Sequence, residues 1–196
     1  MKNYRITILC AAITVLCTFV PYRTVAADRP NIVFILADDL GYGDIKAFGG
    51  EKCNIDTPHF DRLCAEGMKF TDAHVTDSVC VPSRTSIMTG RYAFRFGKAE
   101  QGGPWGFTGL RFPPTQHTLG HMFQTGGYAT GYVGKWHLGT RMTTRDGKVQ
   151  GPENTDFTKP IQIGTSDYGF KDWFFLPGSL DMFPYAYMRG KEWQGS

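Results

Sequence analysis

The chain has 196 residues, 41% of them hydrophobic, with 21 lysines and arginines against 18 aspartates and glutamates. That length suffices for one sizeable packed domain. The basic excess resides in Lys2, Arg5 and Arg23, so residues 28–196 carry 18 charges of each sign and no nucleic-acid surface is expected.

In chain order, Lys2 and Arg5 precede the apolar run Ile6 to Val20, and Val25-Ala26-Ala27 offers a small-residue cleavage site. Residues 1–27 are therefore predicted as a signal peptide that exports the rest to a periplasmic, extracellular or lumenal space. The run is short for a stable membrane span and no later segment competes with it. Asn31 to Ala37 is continuously apolar and β-branched, which predicts a strand buried on both faces of a parallel sheet. It runs into Asp38-Asp39-Leu40-Gly41-Tyr42-Gly43-Asp44, at the strand end where α/β sheets place ligands. Thr57-Pro58 opens a helix carrying Phe60, Leu63 and Cys64 on one face, and Gly67 closes it. Met68 to Val75 is predicted as the next strand. A helix begins near Cys80 and stops at Gly90, and residues 97–116 are a Gly- and Pro-rich loop. Leu119, Met122 and Phe123 mark a short helix ended by Gly126-Gly127, and Tyr128 to Val133 is a strand. Residues 140–166 are polar loop, and the aromatic stretch from Tyr168 onward is ordered. The fold class is α/β, and no domain boundary divides residues 28–196.

Three constellations carry chemistry. Cys80-Val81-Pro82-Ser83-Arg84, followed by Met88-Thr89-Gly90-Arg91, puts a cysteine at a helix start and an arginine on the same face at the i, i+4 spacing. A helix N-terminus favours a thiolate, so the spacing describes an anion pocket around a nucleophile. Asp38 and Asp39 repel one another unless a cation or several donors compensate them, and oxygen-only ligation suits calcium or magnesium, not zinc. Lys135 and His137, at the end of an extended segment, point to one side and can reach one pocket. There a lysine can hold an anionic oxygen and a histidine can move a proton. His74, His117 and His121 match no motif. Cys53 and Cys64 remain either as a disulfide pair or as two separate thiols.

These residues, in this order, resemble the sulfatase family, in particular its arylsulfatase-A-like members. Cys80 to Arg84 with Thr89-Gly90-Arg91 matches the first signature, with Met88 where the family has leucine. Gly134-Lys135-Trp136-His137-Leu138-Gly139 matches the second without departure. Pro30 through Asp44 is similar to the family's opening strand. A weaker likeness covers Tyr168-Gly169-Phe170 and Leu176-Pro177-Gly178-Ser179-Leu180-Asp181.

The resemblance implies an alkaline-phosphatase-like sandwich with a mostly parallel sheet flanked by helices, of which residues 28–196 form the N-terminal part. It implies that a formylglycine-generating machinery oxidises Cys80 to formylglycine. It further implies that calcium sits on Asp38, Asp39 and the modified Cys80, and that the hydrated aldehyde attacks the sulfur of a sulfate ester. Arg84 and Lys135 would hold negative charge, His137 would help to eliminate sulfate, and Ser179 would reach the substrate pocket. Sulfatases carry further metal and charge-holding residues downstream, so the chain as it stands is expected to be inactive and poorly stable. The alternative is a truncated, secreted sulfatase-like pseudoenzyme that binds sulfated glycans without cleaving them.

Overall fold

Proline and glycine bracket the helices where the sequence places them. The computed structural model describes residues 29–194, so the predicted signal segment 1–27 lies outside the described residues. It divides into two units, the first reaching to Leu40 and the second beginning at Gly41.

In the first unit, residues 29–40 carry no helix or strand. Val33 is 82% and Ile35 76% exposed. The predicted buried strand at Asn31–Ala37 is therefore absent. A strand of this composition needs pairing at both edges and cover on both faces, and among the described residues none pairs with it.

The second unit opens with the short helix α1 (Lys46–Gly49). Helix α2 (Pro58–Glu66) follows, with proline in its first turn and Gly67 at its end. The Thr57 side chain does not cap α2. Its hydroxyl instead accepts from the Lys46 backbone at 2.9 Å and donates to Asp61 at 3.1 Å, tying α1 to α2. The apolar face of α2 is open, with Leu63 65% exposed. Met68 to Val75 forms no strand either. Its apolar side chains are exposed, so nothing stabilises pairing there. Helix α3 (Cys80–Thr89) ends at Gly90, whose left-handed φ of 65° terminates it as the sequence predicts. Helix α4 (Leu119–Thr125) starts at Thr118, whose hydroxyl accepts from the His121 backbone.

Four strands form one mixed sheet in the order β1-β2-β3-β4. Strand β1 (Gly131–Lys135) runs parallel to β2 (Asp172–Leu176), with Lys135 opposite Leu176. Strands β3 (Tyr187–Arg189) and β4 (Glu192–Gln194) add antiparallel partners. One pair is thus parallel and two antiparallel, against the expected mostly parallel sheet. The aromatic stretch after Tyr168 is ordered, as expected, because it supplies three of the four strands.

The core is aromatic. Trp136, Tyr168 and Phe175 are fully buried, and Met142, Phe112 and Ile161 close around them. The Trp136 indole N–H donates to the Gly139 carbonyl at 2.8 Å, and the Tyr168 hydroxyl donates to the Phe112 carbonyl at 2.9 Å. Each buried ring thus contributes apolar area while its polar tip is satisfied. Val81 and Met88 from α3 pack against this cluster. The loop 97–116 is fixed to the strand exit. The Arg111 backbone donates to the Leu138 carbonyl at 3.0 Å. Gly139, at φ 78°, approaches Gly109 so closely that a Cβ would stand 2.0 Å from its carbonyl oxygen.

Candidate active site

Helix α3 presents Cys80 at its N-terminus. The preceding Val79 is extended and no side chain caps the helix, so its first-turn N–H groups and dipole favour an anion there. Arg84, one turn on, is 7% exposed. It does not point into solvent. Its Nη1 donates to the main-chain carbonyl of Lys135 at 2.6 Å.

Lys135 closes the arrangement from β1. Its Nζ donates to Cys80 Sγ at 3.2 Å. Beyond β1 the pairing with the second strand's exit continues, as Trp136 and His137 donate their N–H groups to Leu176 and Pro177, each at 3.0 Å. His137 is not in extended conformation. Its φ of 55° lies in the left-handed region, which costs a non-glycine residue free energy and is found where surrounding contacts impose it. Lys135 and His137 therefore do not share one side of a strand by alternation. The turn at His137, not strand alternation, directs its buried ring.

The segment after β2 brings the next group. Ser179 is buried, and its turn is closed by the Met182 N–H donating to the Ser179 carbonyl at 3.0 Å. The Asp181 carboxyl is held below its ordinary pKa, first of all by the neighbouring Ser179 hydroxyl. A bond within Asp181 itself adds to this, slight burial opposes it, and the charges of Lys135 and His137 act in the same downward sense. Asp181 thus shares one electrostatic neighbourhood with Ser179, Lys135 and His137. The sequence motif contains Asp181, yet sequence reasoning gave it no role. The signal was its spacing of two from the serine in a turn.

Residues 30–194 match the sulfatase family pattern. The chain belongs to the sulfatase family. An N-acetylgalactosamine-6-O-sulfatase of Bacteroides thetaiotaomicron is 37% identical over 163 residues, which are 83% of this chain and 29% of that protein. Arylsulfatase G of Canis lupus familiaris is 38% identical over 164 residues, 84% of this chain and 26% of its own length. A Bacteroides thetaiotaomicron 6S-sulfatase, solved in work on the metabolism of multiple glycosaminoglycans, superposes with a TM-score of 0.72 at 35% identity. That match covers 85% of this chain and 32% of the solved one. The chain therefore spans less than a third of the length of these sulfatases, and its α/β fold is theirs.

The remaining sulfatase-type residues, Asp38 and Asp39, lie in the first unit. Both are exposed, Asp39 has a φ of 56°, and their carboxylate oxygens come within 4.8 Å of one another. Two oxygens that each bind one calcium at about 2.3–2.6 Å stand at most about 5 Å apart. The pair fits a single hard cation. Cys53, Cys64 and Cys80 are all free thiols. Cys53 donates instead to the Ile55 carbonyl at 3.3 Å, so the disulfide alternative is not realised. Among the described residues no helix is long and apolar enough to cross a membrane.

Proposed function

We propose that the protein carrying this chain hydrolyses sulfate esters, with Cys80 converted to formylglycine by a modifying machinery that reads Cys80 to Arg84. The observation that carries the reading is the contact between Lys135 Nζ and Cys80 Sγ at the N-terminus of α3. A cation is aimed at the reacting position, and the helix start favours negative charge at the same place.

Formylglycine at position 80 supplies an oxygen nucleophile and a route out of the covalent stage that a plain alcohol lacks. Asp38, Asp39 and the modified residue 80 are the groups that would hold calcium, which would supply positive charge favouring an ionised nucleophile. The rest falls to this chain's own side chains. Lys135 holds a sulfate oxygen beside position 80. Arg84 adds charge from one turn along α3, while its bond to the Lys135 carbonyl fixes its orientation. Donors preorganised in this way contribute roughly 3–4 kcal/mol each to the transition state. His137, held by its backbone bond to Pro177, moves the proton needed to release sulfate. Ser179 orients substrate beside Asp181.

The two sulfatase relatives act, by their names, on aryl sulfates and on N-acetylgalactosamine-6-O-sulfate. We extend only their shared chemistry, a sulfate monoester, to this protein. Residues 1–27 export it, and residues 28–196 form the N-terminal part of its catalytic domain.

The test is sulfate release from para-nitrophenyl sulfate by the full-length protein co-expressed with a formylglycine-generating enzyme. Release that disappears in Cys80→Ala supports the reading. Binding of sulfated glycan with no release from any sulfate ester would replace it with the pseudoenzyme.

A further inference from the structure

Lys135 Nζ can meet position 80 only if the end of β1 is held still. Two sets of bonds hold it. On one side, Leu176 and Pro177 accept from Trp136 and His137. On the other, the Lys135 carbonyl accepts two hydrogen bonds, from Arg84 Nη1 at 2.6 Å and from the Tyr132 hydroxyl. In a regular strand, residues three apart are separated by about 10 Å and face opposite sides. Gly134 breaks that regularity with a φ of 107°, which lets the Tyr132 hydroxyl return to the carbonyl three residues on.

We propose that Tyr132 is a positioning residue: its hydroxyl and Arg84 together clamp the Lys135 carbonyl, and the clamp aims Lys135 Nζ at position 80. The Tyr132 ring is seated independently of the bond. It packs edge-on against Trp136 at 5.2 Å and Phe170 at 5.3 Å between ring centroids. Burial pushes its phenol up to about 12, against the opposing influence of the neighbouring Arg84 charge. The hydroxyl therefore remains a donor across the range in which a sulfatase works. Tyr132 and Arg84 share the Lys135 carbonyl as acceptor, and removing one donor loosens the hold of the other. The catalytic consequence of the clamp rests on the proposed sulfatase reaction. The placement of Lys135 does not.

The test uses Tyr132→Phe in the full-length protein, read in two ways. In protein made without the modifying machinery, o-phthalaldehyde closes a fluorescent isoindole only across a thiol and a primary amine in close contact, here Cys80 and Lys135. Cys80→Ala sets the background from the other thiols. The variant is expected to lose roughly fivefold of the isoindole yield, the population shift that one lost hydrogen bond carries. In modified protein it is expected to lower kcat about tenfold with KM nearly unchanged, the signature of a group that acts in the transition state. Its melting midpoint should stay within a few degrees of the parent's. Parental isoindole yield in the variant would overturn the proposal. A large fall in melting midpoint would assign the hydroxyl to stability and overturn it as well. A parent that closes the isoindole but cleaves no sulfate ester would sink the proposed function alone, while the clamp would still stand or fall on the isoindole comparison.

Discussion

Lys135 Nζ and Cys80 Sγ meet at 3.2 Å although 55 residues separate them along the chain. The contact joins a helix start to a strand end, so neither element can shift without opening it. Lys135→Ala removes the cation nearest the reacting position. The expected loss is about 10²–10³ in kcat for sulfate-ester hydrolysis, the scale of one preorganised charge-holding donor. Steady-state kinetics on para-nitrophenyl sulfate measures it, and a loss under twofold would remove Lys135 from the mechanism.

Cys80→Ser leaves an alcohol where the aldehyde belongs. Attack on sulfur remains possible, but release of the bound sulfate does not proceed by the same route. The expected outcome is a trapped or very slow enzyme, seen as sulfate mass retained on the peptide that contains residue 80. Rapid steady turnover by this variant would contradict the formylglycine assignment.

Metal dependence gives an independent check. Calcium binding to the native state alone raises the melting midpoint by mass action. Asp39→Asn is expected to abolish that rise and to weaken calcium binding by titration calorimetry. An equal calcium response in parent and variant would place the cation elsewhere.

A pH effect follows from His121 in the first turn of α4. Burial, and then the neighbouring His117 ring at 5.5 Å, lower its pKa from the ordinary 6.5. Thr118 faces it as well, its backbone N–H donating to Nδ1 at 3.3 Å. The folded state thus holds the neutral ring, and the unfolded chain takes up the proton first. Stability from this group is present above pH 6.5 and is lost as pH falls through the folded-state value. Melting midpoints between pH 7 and 5 should fall less in His121→Gln than in the parent, and parallel curves would dismiss the effect.

Trp136 is fully buried between the two site residues Lys135 and His137. Trp136→Ala is expected to cost about 3–5 kcal/mol, by lost transfer energy and the cavity left behind. Chemical denaturation measures this, and a cost below about 1 kcal/mol would mean that the core repacks around the gap.

The helices were legible because their signals are local: Pro58 and Gly67 frame α2, Gly90 stops α3, and Gly126 ends α4. Cys80, Arg84, Lys135 and His137 were legible as motifs for a similar reason, since their spacing is set within one turn or one strand end. The strands expected at Asn31–Ala37 and Met68–Val75 were not realised because strand formation depends on partners that apolar composition alone cannot name. Asp181 was passed over because its electrostatic partners, Lys135 and His137, lie more than forty positions earlier in the sequence. Tyr132 left no signal because it acts on a main-chain carbonyl, which every residue type supplies.

The approach of Gly139 to Gly109 gives the Gly- and Pro-rich loop a fixed anchor beside the site. A saturation library at position 139 should return glycine almost exclusively, because any side chain must displace the Gly109 carbonyl and push the loop off the strand exit. Near that anchor residues 97–116 are constrained in identity as well as in length, because Phe107, Leu110 and Phe112 are buried there and a Cβ on Gly109 would stand 2.6 Å from a backbone oxygen. Insertions tolerated at the loop's outer positions should become strongly destabilising as they approach Gly109.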